Sequence, residues 1–333
     1  MRAMVMISAG EPDVLQLQEV SKPAIGNERE VLVKLKAAGI NPVDTKLRKK
    51  GTFYPDKNPQ VLGCDGAGVV EEIGSGVSKF QPGDEVYFCL GGLGGPKGNY
   101  AEYAVVDERF IAKKPQSLSF AEAAAAPLVL ITAWESLYDR ARLQAGQKAL
   151  IHGGAGGVGH VAIQLAKLQG AEVLTTVGTS EKAEFVRGLG ADVAVLYKEA
   201  DFVKATLDWT NGEGVDVAFD TVGGALFFQT VPAVKIYGDL VTILDIEPQY
   251  GNLKEARMRN LRLTQEIMLT PMLKNMVDAL QDQAKILQQC ARLIDEGKLK
   301  INLSKAFALA EAAEAHKLLE AGSMTGKISL VIE

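Results

Sequence analysis

Lys148-Ala-Leu-Ile-His-Gly-Gly-Ala-Gly-Gly-Val-Gly159 is the stretch whose reading decides the fold. A short apolar run, Ala149–Ile151, passes straight into a glycine-rich turn, and the turn opens a helical pattern over His160–Leu168. Gly154, Gly156 and Gly159 fit G-x-G-x-x-G. The first glycine makes the tight turn, the second lets backbone approach a pyrophosphate, and the third lets helix and strand pack closely. Gly157 and Val158 begin the helix, whose N-terminus offers unpaired N–H groups and partial positive charge to phosphates. Glycines alone also suit a purely structural turn. The strand before them and the helix after them favour a dinucleotide site.

The rest of the composition is that of an ordinary globular protein. The chain has 333 residues, with 47% apolar and 23% charged, enough for two domains and a sizeable core. A formal charge of −5 carries no basic footprint for nucleic acid. Met1–Gly10 lacks a signal-peptide layout. No apolar run reaches the roughly 18 residues of a membrane span. The expectation is a soluble cytoplasmic protein with neither a nucleic-acid nor a membrane partner. The three cysteines, Cys64, Cys89 and Cys290, are scattered, and only three histidines accompany them. That excludes a disulfide framework and argues against a cysteine-built metal site.

Along the chain, Ala3–Ile7 and Val14–Val20 read as a β-hairpin, and Arg29–Ala37 as a further strand. Ala38–Lys50 is a loop running into a short helix, and Gly51–Gly63 a proline-bearing loop. Val69–Ile73, Glu85–Cys89, Ala101–Val106 and Phe110–Lys113 are short strands separated by Gly and Pro. Ser119 is an N-cap candidate for an alanine-rich helix that Pro127 interrupts. From Lys148 strands and helices alternate as far as Leu244, which implies a doubly wound parallel sheet. Gly170, Gly188 and Gly190 are helix-end signals. Thr270–Glu296 has apolar residues at helical spacing, Ala310–Glu320 is a helix and Gly326–Ile332 a closing strand that returns to the first domain. The expected division is 1–122, 123–265 and a returning 266–333.

Several ordered stretches resemble the medium-chain dehydrogenase/reductase superfamily, and within it the zinc-free quinone oxidoreductase (ζ-crystallin-like) branch. They are Ala38–Thr45, Leu62–Val70, Phe80–Val86, Tyr100–Tyr103, Pro127–Leu137, Gly153–Lys167 and Gly326–Val331. The resemblance implies a GroES-like β-rich catalytic domain split around an α/β Rossmann domain, with the active site between them. It also implies a homodimer joined through Rossmann edge strands. Apolar Leu240–Leu244 is the expected edge that a second copy covers.

Zinc members of the superfamily carry a ligand cysteine where this chain has Asn41, and Gly-His-Glu where it has Gly63-Cys64-Asp65. One thiolate cannot assemble a zinc site of three protein ligands and an open position. The rival, a rearranged site using Cys64, Asp65 and a distant histidine, lacks ligands at workable spacing. Cys64 is expected as a small pocket-lining or core residue.

An NAD-preferring site places a carboxylate at the end of the second strand, about 20 residues past the glycines. Here that place reads Val177-Gly178-Thr179-Ser180-Glu181-Lys182, with Gly178 ending the strand. A missing carboxylate admits a 2′-phosphate. By resemblance Lys182 and Tyr197 contact that phosphate, with Ser180 beside it, so NADPH is the expected cofactor. Glu181 is the residue that would argue for NADH if it faced the ribose. Lys182 also suits an exposed helix lysine, and Tyr197 a packing residue. The resemblance adds Thr132, Thr221, Val222, Gly238, Ile243, Leu244 and Lys327 as cofactor contacts. Packing, turn formation and surface charge explain Thr132, Gly238 and Lys327 equally well on sequence alone.

With no nucleophile–base pair in view, a bound nicotinamide must carry the chemistry. Quinones and α,β-unsaturated carbonyls accept hydride without a Lewis acid, because conjugation spreads the charge. The protein then positions the acceptor and donates hydrogen bonds to the developing oxyanion. Asn41 is the candidate orienting group, though a turn-forming Asn before Pro42 is the plain alternative. By resemblance Tyr54 lines the substrate mouth, a place from which it can also donate a proton, with loop anchoring as its alternative. Asp44 is expected to make structural hydrogen bonds. Lys46 replaces the tyrosine that the branch often has there. Two other readings remain: a cofactor-binding protein with little catalysis, and a zinc alcohol dehydrogenase.

Overall fold

The computed structural model describes residues Met1–Glu333. Its strands, in chain order, begin with β1 (Arg2–Met6), β2 (Leu15–Glu19), β3 (Glu30–Ile40) and β4 (Asp65–Ile73). Then come β5 (Glu85–Cys89), β6 (Tyr103–Asp107), β7 (Ala112–Lys113), β8 (Lys148–Ile151) and β9 (Glu172–Val177). The remainder are β10 (Val193–Leu196), β11 (Val215–Asp220), β12 (Val234–Thr242), β13 (Arg262–Gln265), β14 (Leu303–Ala308) and β15 (Lys327–Val331). The chain forms two compact units, one of Met1–Leu128 with Leu269–Glu333, the other of Val129–Met268.

In the first unit the expected hairpin is present, β1 pairing antiparallel with β2. The main sheet runs β14-β15-β3-β4-β5-β7, and β6 also pairs with β3. β3 is the organising strand. It runs three residues beyond the expected Ala37 and pairs with β4, β6 and β15 along its length. Leu32 is as buried as Val31, Val33 and Leu35, while Lys34 on the same face as Leu32 is exposed, so β3 is covered on both faces toward its ends and alternates only in the middle. The tail returns as expected: β15 pairs antiparallel with β3, Ser329 opposite Gly39. The helix Pro42–Lys50 starts at a proline, which suits the first helical position. Ser119 and Glu122 form a reciprocal cap on Phe120–Ala124. Pro127 then starts the next helix, Pro127–Trp134, for the same reason as Pro42.

The second unit is a six-stranded sheet, parallel throughout, in the order β10-β9-β8-β11-β12-β13. In chain order this is the 3-2-1-4-5-6 arrangement of a doubly wound dinucleotide-binding fold. Leu150, Leu174, Ala218, Phe227 and Leu240 form its core. Gly170 and Gly190 adopt left-handed backbone at helix ends, with φ of 85° and 104°. Leu240–Leu244 is not the sheet edge. β12 ends at Thr242, and β13 lies parallel outside it, Leu263 opposite Leu240. A chain that must cover apolar Leu240 and Val241 adds one more strand, and the edge passes to the more polar Arg262-Leu-Thr-Gln265. No helix is long and apolar enough to cross a membrane.

Candidate functional site

In the second unit, the C-terminal ends of β8, β9, β10, β11 and β12 gather most of the expected cofactor residues. Gly153, with φ of 65°, turns the chain out of β8. A Cβ on Gly154 would strike the Thr175 hydroxyl and come within 3.0 Å of Ile163 Cδ1. Thr175 is fixed there by donating to Ile151 O at 2.6 Å. A Cβ on Gly159 would meet Gly153 O and lie 2.8 Å from Gly154 Cα. Gly156 is the N-cap of the helix Gly157–Leu168 and makes no side-chain cap. The first amides of that helix, Gly157 and Val158 among them, have no intrahelical carbonyl to pair with. Bare backbone at a helix start suits a pyrophosphate.

β9 ends at Val177, and Gly178 follows beneath Tyr197: a Cβ there would sit 3.1 Å from the Tyr197 hydroxyl. Tyr197 is 54% exposed. Ser180 begins the helix Ser180–Gly188, and Thr179 caps it by accepting from Lys182 N. The Thr179 hydroxyl also holds the Glu181 carboxyl below its ordinary range, helped by the backbone N–H at the helix start. Glu181 is thus engaged at the cap.

Across the switch between β8 and β11, Thr221 Oγ1 donates to His152 O at 2.8 Å, and a Gly153 Cβ would lie 3.4 Å from Val222 Cγ2. Asp220 fixes two loops: it accepts from Val222 N, Gly223 N and the Thr242 hydroxyl. A Cβ on Gly223 would meet Leu244 Cβ at 2.7 Å, so Leu244 joins the group, and Ile243 N donates to Asp220 O. Thr132 is buried in the helix Pro127–Trp134. Gly238 does not join them. It lies five residues before Ile243, about 16 Å of extended strand, where a Cβ would meet Asp216 O at 2.9 Å. Its small size serves close packing of β12 on β11.

Composition gave no warning of His152. It is buried between two hydroxyls, Nδ1 3.0 Å from Thr176 Oγ1 and Nε2 2.9 Å from Thr230 Oγ1. Burial pushes its pKa down to about 4, against the pull of Asp220.

In the first unit, Asn41, Asp44, Cys64, Asp65, Tyr100, His316 and Lys327 form a polar cluster with almost no exposed surface. Asn41 stands at the junction of β3 and the helix Pro42–Lys50. Its Nδ2 donates to Asp65 Oδ2 at 2.9 Å, and its Oδ1 accepts from Lys327 Nζ. Lys327 Nζ also donates to Ile40 O at 2.8 Å. The lysine expected at the cofactor therefore spends its ammonium inward, and Asn41, expected to orient the nicotinamide, has both ends of its amide held in the interior. Burial lowers the Lys327 pKa while Asp65 and Asp44 oppose the shift.

Asp44 Oδ2 accepts from Asn41 N at 2.8 Å and from the Tyr100 hydroxyl at 3.1 Å. Burial pushes the Asp44 carboxyl up to about 7. Tyr100 in turn lies 3.1 Å from His316 Nε2, and burial takes His316 down to about 4. Asp65 accepts Leu128 N at 2.9 Å through its other oxygen. Cys64 has no exposed surface, and burial raises its thiol pKa well above the ordinary value. It is a neutral core thiol, not a pocket wall. No three His, Cys, Asp or Glu side chains converge as a metal-ligand set. Tyr54 is half-buried in the loop after Gly51, with Lys57 Nζ 4.5 Å from its ring centroid.

Sequence reasoning missed Tyr100, His316 and the inward lysine. Asn41-Pro-Val-Asp44 carried one usable signal, since Asn followed three residues later by an acid is a helix-start pattern.

Two family models match the chain: an alcohol dehydrogenase GroES-like domain over residues 27–116, and a zinc-binding dehydrogenase over residues 189–330. A zinc-type alcohol dehydrogenase-like protein of Staphylococcus aureus is 32% identical, covering 97% of this chain and 96% of its own. A 2-methylene-furan-3-one reductase of Solanum lycopersicum is 35% identical over 98% of this chain and 78% of its own. The structure of an Escherichia coli quinone oxidoreductase complexed with NADPH superposes with a TM-score of 0.86 at 29% identity, covering 99% of this chain and all of that one. GroES-like strands around β3, a 3-2-1-4-5-6 sheet with its glycine turn, and relatives matched from end to end agree. The chain belongs to the medium-chain dehydrogenase/reductase superfamily, in its quinone oxidoreductase-like branch, and is an oxidoreductase.

Proposed function

We propose that the chain is an NADPH-dependent, zinc-independent reductase of quinones or α,β-unsaturated carbonyls. The observation that carries the metal-free part is Lys327. Its ammonium lies against Asn41, near two buried carboxylates, Asp44 and Asp65. One cation already stands beside these acids, and a metal ion would meet its repulsion. The NADPH part rests on Gly178 under Tyr197, with Lys182 in the first turn that follows and Glu181 engaged at the cap. The relatives named for quinone and furanone reduction support the acceptor class.

A bound NADPH supplies hydride from C4 of its nicotinamide. The turn 153–159 holds the pyrophosphate against the helix start, and Tyr197 with Lys182 holds the 2′-phosphate. Thr221, Val222 and Leu244 border the nicotinamide half. Tyr54 donates a hydrogen bond to the acceptor oxygen as negative charge develops on it. Two copies pair through β13, whose neighbours Met258 and Ile267 are 80% and 55% exposed. A monomeric mass in sedimentation would refute that part.

The test is a panel of quinones, enones and simple alcohols, run with NADPH and NADH side by side, with zinc measured on the same sample. Quinone or enone turnover with NADPH, without stoichiometric zinc, is expected. Binding of NADPH without turnover supports the cofactor-binding alternative. One zinc per chain with alcohol oxidation supports the reading that the zinc-type relatives suggest.

A further inference from the structure

The loop that carries Tyr54 contains no regular secondary structure between Gly51 and Gln60, yet one buried side chain ties it down. Gln60 is 6% exposed. Its Nε2 donates to Lys57 O at 2.6 Å and Tyr54 O at 2.8 Å, with Pro55 O at 3.3 Å. Its Oε1 accepts from Thr52 Oγ1 at 2.8 Å and Gly95 N at 3.1 Å. Three carbonyls on one end and two donors on the other fix the orientation of the amide. The backbone of Gln60 is itself anchored, since Met6 N donates to Gln60 O at 2.8 Å and Val61 N to Gly95 O at 3.0 Å.

A second loop, Leu90–Gly98, is gripped by the same amide through Gly95. Phe53 N donates to Leu93 O at 3.0 Å, and a Cβ on Gly94 would come within 2.7 Å of Thr52 Cβ. The two loops are in backbone contact, and the glycines allow it. Loops without their own ladder are ordinarily mobile. Here the Tyr54, Pro55 and Lys57 carbonyls and, before them, the Thr52 hydroxyl are held by a residue rooted on β1.

We infer that Gln60 is a positioning residue: it fixes the Tyr54 loop against the glycine loop and thereby sets affinity for the acceptor. The inference rests on the reading that Tyr54 borders the acceptor. Removing the amide leaves buried carbonyls and an N–H without partners, and the loop relieves this by opening to water. A misplacement of about 1 Å is enough to weaken acceptor binding measurably.

The experiment compares wild type with Gln60→Leu and Gln60→Glu, alone and combined with Tyr54→Phe. Gln60→Glu keeps the size and the acceptor oxygen but loses the donors. NADPH-dependent reduction of 1,4-benzoquinone and menadione gives the constants, and hydrogen exchange reads the amides of Phe53, Lys57 and Gly95. The expected result is an acceptor KM raised about ten-fold, a nearly unchanged KM for NADPH, and faster exchange confined to the two loops. If Gln60 acts through Tyr54, the double variant is hardly worse than the worse single one. Full additivity, an unchanged acceptor KM, or unchanged exchange overturns the inference. A wild type that turns over no quinone or enone overturns the acceptor reading and this inference together, whereas turnover unaffected by either Gln60 variant overturns the inference alone.

Discussion

The Lys327 ammonium donates to the side-chain oxygen of Asn41, and the nitrogen of the same amide donates to Asp65. A lysine from the last strand, an amide from the start of a helix and a carboxylate from β4 thus close on one another inside the first unit. Lys327→Met should leave the buried acids without their cation. Breaking one member of a buried charged set costs about 3 kcal/mol or more. Urea unfolding is expected to show that loss, and an unchanged midpoint would mean the cation contributes nothing.

Three of the buried titrating groups, His152, His316 and Asp44, act together on stability between pH 4 and 8. His152 and His316 sit near 4 in the fold, below their ordinary 6.5. Their contribution is complete above the unfolded value and is lost as pH falls toward 4. Asp44 sits near 7, above its ordinary 3.8. Its contribution is complete below the unfolded value and is lost as pH rises through 7. Two histidines outweigh one acid below pH 6.5, so stability should rise by about 2 kcal/mol from pH 4 to 6.5. From pH 6.5 to 8 the unfolded histidines shed their remaining protons while Asp44 sheds its own, and the two opposing trends, each about 1 kcal/mol, nearly cancel to leave a plateau. Asp44→Asn keeps an acceptor for Asn41 N and Tyr100 and removes the opposing trend, so it should steepen the rise from pH 4 to 6.5. An unchanged rise in the variant would assign the opposing trend to another group.

Gly154→Ala should abolish dinucleotide binding and cost about 1–3 kcal/mol, as overpacking does. The added methyl meets the Thr175 hydroxyl and Ile163. Gly188→Ala is the control, because a Cβ there meets nothing within 4 Å. It ends a helix, so the change should be neutral or mildly stabilising. Calorimetric titration with NADPH and thermal melts of both variants check the pair.

Gly178→Asp should reverse cofactor preference. The new carboxylate stands where a 2′-phosphate would be repelled, and its Cβ crowds the Tyr197 hydroxyl at 3.1 Å. The dissociation constant for NADPH is expected to rise about ten-fold or more while that for NADH does not. Equal loss of both would point to a general collapse of the β9–β10 end.

The chain's own pattern determined the alternation from β8 to β12, the glycine turn and the Ser119 cap. Each rests on neighbours in sequence or on a period that one strand or helix imposes by itself. Tertiary structure alone decided that Leu240–Thr242 pairs with β13, that the closing strand pairs with β3, that Gly238 serves packing, that Lys327 turns inward to Asn41, and that Gln60 grips two loops. Those outcomes depend on which groups far apart in the chain meet when water is excluded. A buried ammonium must find a carbonyl or a carboxylate, and a buried carbonyl must find a donor. Composition can say that such partners exist. Only the packed fold says which ones come within reach.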